Sequence, residues 1–175
     1  MATRIVLGWR EWVALPALGI AAVRAKVDSG ARSSALHVDA QWRFIDRGAP
    51  WVGFRLTPDG VHGTVIEAAA PMLDEREVVD SGGHRTRRIF VRTRLQLAGI
   101  EREIDINLSN RRGMLFPMLL GRTAMARVFA IDPARSFMHG HEPLDRRRAW
   151  PVPAMSSSPP MCRPVTHYSP EHTPR

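Results

Sequence analysis

Strict alternation marks the middle of the chain. Across residues 88–97, Ile89, Val91, Thr93, Leu95 and Leu97 share one face, and Arg88, Phe90, Arg92, Arg94 and Gln96 the other. Period two with a charged outer face predicts a half-buried strand. Residues 103–108 repeat it, with Ile104, Ile106 and Leu108 against Glu103, Asp105 and Asn107. Ala98-Gly99 lies between them, so the two runs should form a hairpin. Upstream, apolar runs at 5–15, 20–27, 33–38, 42–45, 51–56, 61–70 and 75–79 are separated by turn-forming residues: Pro16 to Gly19, Asp46 to Pro50, Thr57 to Gly60, and Asp80-Ser81-Gly82-Gly83. Each is predicted to be a strand.

The pattern then changes. Residues 114–120 are apolar almost throughout and suit a buried strand. Residues 123–128 fit one or two helical turns, with Thr123 as N-cap, and 128–132 read as a last strand. From residue 140 on, prolines, serines and arginines dominate; eight of the fourteen prolines stand at 143 or later. Such a segment buries too little apolar surface to offset its ordering entropy. The expected organisation is one all-β domain over 1–139 and a disordered tail over 140–175, with many short strands pointing to a sandwich or barrel.

Composition narrows the function classes. Of the 25 basic residues Lys26 alone is lysine, and the formal net charge is +8. A basic surface attracts acidic partners, but no aromatic-plus-basic pattern supports nucleic-acid binding. Cys162 is the single cysteine, so no intrachain disulfide forms. The apolar run at 5–9 is shorter than a signal-peptide core, and no stretch has the length of a membrane span, so the cytoplasm is the expected compartment. Neither a His-Glu-x-x-His nor a Cys-x-x-Cys pair occurs, and the histidines are scattered, so no metal or other cofactor is expected. Nor is there a Gly-x-x-x-x-Gly-Lys-Ser/Thr loop for ATP.

One charge stands out. Asp28 ends the apolar run 20–27 and is followed by Ser29-Gly30-Ala31. A carboxylate closing a buried strand is costly unless it is paired, hydrogen-bonded or protonated. Gly30 allows the backbone to turn an N–H back toward it. Asp-Ser-Gly is also a common turn tripeptide, and Asp80-Ser81-Gly82 is read as one, because it joins two polar strands.

Asp28-Ser29-Gly30-Ala31 after one apolar strand, and Leu119-Leu120-Gly121-Arg122 after another, resemble the paired motifs of retropepsin-type aspartic peptidases. With Gly8-Trp9-Arg10-Glu11-Trp12 and the run 25–37, the chain is similar over residues 5–135 to a bacterial retropepsin-like family often labelled "ATP-dependent zinc protease", linked to ATP-grasp ligases of the RimK type. The resemblance implies a closed β-barrel with a short helix after Leu-Leu-Gly-Arg. It implies an aspartic-type hydrolase acting as a homodimer, in which Asp28 of two subunits activates water. Asp28, Ser29 and Gly30 would be the catalytic loop. Ala31, Arg32, Gly82 and Gly83 would meet the peptide, the last two on a flap. Gly121 and Arg122 would support the loop. Retropepsins usually carry an acid where Arg32 stands, so Arg122 needs another partner, such as backbone carbonyls under the loop. Arg32 also motivates the alternative of a peptide-binding module that does not cleave, with Arg32 holding Asp28 in a salt bridge. The ligase link and a net +6 over residues 1–140, from 20 basic and 14 acidic side chains, suggest acidic or glutamylated substrates.

Overall fold

A computed structural model describes residues 4–58, 63–79, 82–110 and 115–140. It is all-β apart from a 3₁₀ turn at Pro16–Leu18 and one short helix. The strands are β1 (Ile5–Gly8), β2 (Arg10–Leu15), β3 (Ile20–Asp28), β4 (Ser34–His37), β5 (Ala40–Asp46), β6 (Ala49–Leu56), β7 (Ile66–Val79), β8 (Arg85–Leu97), β9 (Ile100–Ser109), β10 (Met118–Gly121) and β11 (Phe129–Asp132); helix α1 is Arg122–Met125.

Six strands form a ring in the order β2-β3-β10-β4-β9-β8, closed where Ala14 of β2 pairs with Gln96 of β8. Strands β7, β6 and β5 continue outward from β8. The alternation explains the ring: Ile89, Val91, Leu95 and Leu97 of β8 and Ile104, Ile106 and Leu108 of β9 turn inward and are buried. They meet Val23, Ala25, Leu36, Met118 and Leu120 in one core, to which β6 adds Val52, Phe54 and Leu56. Each of these side chains other than Ala25 contributes roughly 1.5–3 kcal/mol by leaving water. Strand β10 is the keystone. It runs parallel to β3 and antiparallel to β4, so it joins the segments before and after Asp28.

The predicted strands at 61–70 and 75–79 are one strand, β7. Its pairing with β6 ends where Pro71 faces Trp51, and its pairing with β8 begins at Met72, with a bulge before Asp74. A proline without an N–H suits that change of partner; read along the sequence, it looks like a break. The predicted apolar strand from 114 begins only at Met118, and Leu115 is 69 % exposed. Thr123 is not the N-cap: Gly121 is, with no side-chain cap bond, and the helix has a single turn. Phe90 stands in the outward row of β8 yet is buried, because the Arg76 guanidinium lies 4.4 Å over its ring.

The block Gly8-Trp9-Arg10-Glu11 has a structural role. Glu11 is fully buried and accepts hydrogen bonds from the N–H groups of Gly8 (2.6 Å) and His139 (3.0 Å). The Trp9 N–H donates to the Arg135 carbonyl, which a Cβ on Gly8 would approach to 2.5 Å. These bonds strap residues 135–139 across β1 and β2. Strand β11 pairs with β1 in a separate parallel pair rather than entering the ring. The expected tail lies, from residue 141 on, outside the described residues.

Candidate active site

Strand β3 delivers Asp28 to the end of the ring, opposite Gly121 in the parallel register with β10. The chain then turns back. Asp28 Oδ1 accepts the N–H groups of Gly30 (3.0 Å) and Ala31 (3.1 Å). Two backbone donors offset the cost of half-burying a carboxylate and fix its plane. A Cβ on Gly30 would sit 3.3 Å from Oδ1, so the glycine serves this close approach. Ser29 is exposed, and among the described residues its hydroxyl has no hydrogen bond.

The turn is clasped from behind by β10 and α1. The N–H groups of Arg122 and Thr123 donate to the carbonyls of Ala31 (2.9 Å) and Arg32 (3.2 Å). Thr123 Oγ1 donates to the same Arg32 carbonyl at 2.9 Å, which is its use in place of capping. Arg122 Nη1 lies 3.4 Å from the Gly30 carbonyl. At Gly121 a Cβ would come within 2.5 Å of the Ser33 carbonyl carbon, so only glycine lets the strands approach this closely. The Gly121 N–H donates to the buried Ser34 Oγ at 3.1 Å. The Ser34 carbonyl accepts from Asn107 Nδ2 at 2.7 Å, and Asn107 Oδ1 accepts from Arg88 Nη1 at 3.2 Å. A chain of polar contacts thus runs from β8 through β9 and β4 to the floor beneath Asp28.

Asp28 opens into a cleft of about 1730 Å³. Asp28, Gly30, Ala31 and Arg32 line its floor, and the β7–β8 arm, including Val79, Gly82 and His84, lines its far wall. Arg76 and Arg88 face each other directly across the arm. Each is drawn aside: Arg76 to Asp74 (2.6 Å), and Arg88 to Thr86 (2.9 Å) and Asn107. Arg92 pairs with Asp105 at 2.8 Å. The hydrogen bonds that Arg76 donates to Asp74 raise its pKa, and those that Arg92 donates to Asp105 raise its pKa, so both stay charged at every working pH.

Of the site residues expected from sequence, Asp28, Gly30, Ala31, Arg32 and Gly82 border one cleft, and Gly121 and Arg122 brace the floor. Ser29 and Gly83 do not line it. Gly83 has φ +81°, as the turn between the arm strands requires. Asp80 and Ser81 lie outside the described residues. Arg32 makes no ion pair with Asp28, so the salt bridge that motivated the binding-only alternative is not formed. Sequence reasoning missed Ser34 and Asn107, because a serine beside another serine and an asparagine in a polar row look ordinary. It also left Lys26, the one lysine, without a role. Among the described residues no group of three or more His, Cys, Asp or Glu side chains converges as a metal site would, and no helix is long and apolar enough to cross a membrane.

Comparison with known proteins shows the family of the chain. Proteins named probable alpha-L-glutamate ligase are similar to the chain. The one from Shewanella pealeana is 36% identical over 140 residues, which is 79% of this chain and 31% of that protein. The one from Desulfotalea psychrophila is 40% identical over 130 residues, 74% of this chain and 28% of that protein. The chain therefore spans about a third of the curated relatives it matches. A crystal structure of a Legionella pneumophila protein of unknown function superposes with a TM-score of 0.67 at 26% identity, covering 78% of this chain and 98% of that one. Residues 6–142 match the family model described as retropepsin-like aspartic endopeptidase RimB, and with the Asp28 loop seated against Gly121-Arg122 the chain belongs to that RimB-like family.

Proposed function

We propose that this chain is an aspartic endopeptidase whose working unit is a homodimer. The observation that carries the reading is Asp28, held by two backbone N–H groups at the floor of a cleft of about 1730 Å³, larger than a small-molecule site usually is. One carboxylate cannot both take a proton from water and give one to the scissile carbonyl. Of the other carboxylates that line the cleft, Asp105 and Glu77 are engaged by Arg92 and Arg85, and Glu103 stands exposed on β9, separated from β3 by β10 and β4. A second Asp28 from a partner subunit supplies the missing group, and two adjacent carboxylates share one proton because both cannot ionise at such a distance. Exposed Ser29 would then be covered by the partner, and the glycine-rich end of the β7–β8 arm would close over the peptide.

The relatives' name speaks of ligation, but those proteins are some three times as long as the part this chain matches. We assign ligation to the remainder and hydrolysis to the part shared with this chain. The link suggests glutamate-bearing tails as substrates. The cleft itself tempers the electrostatic side of that expectation. Its lining carries Lys26, Arg32, Arg76, Arg88 and Arg92 against Asp28, Glu77, Glu103 and Asp105, a near balance. Steering by net charge is therefore weak there, and selectivity must come from individual contacts.

Asp28→Asn retains an oxygen for the Gly30 and Ala31 N–H groups and removes the ionisable group. The variant is expected to fold and dimerise normally and to lose at least about a thousandfold in peptide cleavage, the scale on which losing a group of the reacting set acts. Cleavage of a peptide library at the wild-type rate would reject the mechanism. A strictly monomeric protein at micromolar concentration that still cleaves would reject the dimer.

A further inference from the structure

The cations in the cleft differ in what they are free to do. Arg76 and Arg92 are held by carboxylates, and Arg88 is hydrogen-bonded to Thr86 and Asn107. Among the described residues, Lys26 and Arg32 are the cleft-lining cations whose side chains have no hydrogen bond or ion pair. Both flank Asp28. Lys26 stands two positions before it on β3, and alternation puts the two side chains on one face, roughly 7 Å apart along the strand. Both face the cleft, and Lys26 is exposed.

The choice of residue type adds a second observation. Twenty-four of the twenty-five basic side chains are arginine. The one lysine lies beside the candidate catalytic carboxylate. There an arginine would be harmful: its planar fork matches a carboxylate in bidentate fashion and would clamp Asp28 itself. An ammonium is a compact, hydrated charge on a flexible stem. It can stay near Asp28 without locking it and still reach a ligand.

We propose that Lys26 is a specificity-determining residue that binds a carboxylate on the substrate residue adjoining the scissile bond. The proposal rests on the peptidase reading of the Asp28 cleft and deepens it by giving one subsite to one side chain. The selectivity is local. It discriminates a glutamate beside the cleaved bond from a glutamine there and leaves acidic residues farther along the peptide to other contacts.

The test is a double-mutant cycle on affinity, made in the Asp28→Asn background so that binding is read without turnover. The probe is fluorescein-labelled hexaglutamate and a set of its single Glu→Gln variants, read by anisotropy. With Lys26 present, one Glu→Gln position should weaken binding about tenfold, the size of one charge-assisted hydrogen bond. With Lys26→Met, hexaglutamate should bind about tenfold more weakly, and the same Glu→Gln position should then cost almost nothing, while the other positions keep their effects. Lys26→Glu should favour a lysine at that position. Melting temperatures show whether the variants remain folded, and the Glu→Gln positions that should not respond are the internal control. Unchanged effects at every position would overturn the proposal, as would an equal loss at all of them or no binding of hexaglutamate at all. Coupling at one position, with wild-type protein cleaving none of these peptides, would uphold the Lys26 contact and overturn the peptidase reading.

Discussion

The two walls of the cleft are built on opposite principles. The floor beneath Asp28 is held by backbone hydrogen bonds, a steric demand at Gly121 and the buried groups Ser34 and Asn107, which are 0% and 1% exposed. The β7–β8 arm is held by its strand ladder and by pairs between exposed side chains, such as Arg85 with Glu77 at 2.6 Å and 71% and 52% exposure. A floor of this kind fixes one geometry and fails when a single atom is misplaced. An arm of this kind tolerates change and opens easily, because its pairs are solvated and its outer residues bury little apolar area. A rigid floor and a yielding arm are what a hydrolase needs when its substrate must be covered after it arrives.

The sharpest way to break the contrast is at Gly121. Gly121→Val places its Cβ within 3 Å of the Ser33 carbonyl group and the Arg32 carbonyl oxygen, none of which is a flexible side-chain end. We expect about 3 kcal/mol or more of destabilisation, read by urea unfolding, because β10 must part from β4 or the Asp28 loop must shift. A valine variant with wild-type stability would mean that the floor yields as freely as the arm.

Next come the polar members of the floor. Ser34→Ala removes the acceptor of the Gly121 N–H in a buried position. Leaving that donor unsatisfied should cost about 1–3 kcal/mol. Asn107→Leu takes the Nδ2 donor from the Ser34 carbonyl and leaves Arg88 with its Thr86 bond alone, with a similar cost. The two substitutions touch one network, so their effects should not add; a double variant that loses the full sum would show the network to be two independent contacts.

These residues also show where a sequence is readable. Period two in β8 and β9 placed the inward rows correctly, because one face of each strand meets a core and the other meets water. The Asp28 loop was legible because a carboxylate ending an apolar strand needs donors, and Gly30 is the means of supplying one. Ser34 and Asn107 were not. Their importance comes from contacts across 87 and 73 residues of chain, and no local pattern encodes such contacts. The same holds for Phe90, whose burial depends on Arg76 from the neighbouring strand. Pro71 misled because its meaning depends on which neighbour its strand has at that point.

The smallest effect is expected on the arm, and there its smallness is the prediction. Glu77→Gln removes the carboxylate that Arg85 meets, in a pair that is more than half exposed on both sides. Solvent screens such a pair, and holding two long side chains together costs entropy, so global stability should fall by less than about 1 kcal/mol. Local behaviour should respond more than global stability. The pair ties Arg85, which stands with Val79 in the last described rung of the hairpin, to Glu77 two rungs farther in, so its loss lets the end of the arm open more often. Amide hydrogen exchange at Val78, Val79 and Arg85 should quicken about two- to fivefold, while exchange at Leu36, Ile106 and Leu120 stays unchanged. Raising salt on the wild-type protein should act in the same direction, since it screens the same pair. Equal quickening in arm and core would mean that the arm unfolds only with the whole domain, and the contrast between the two walls would fail.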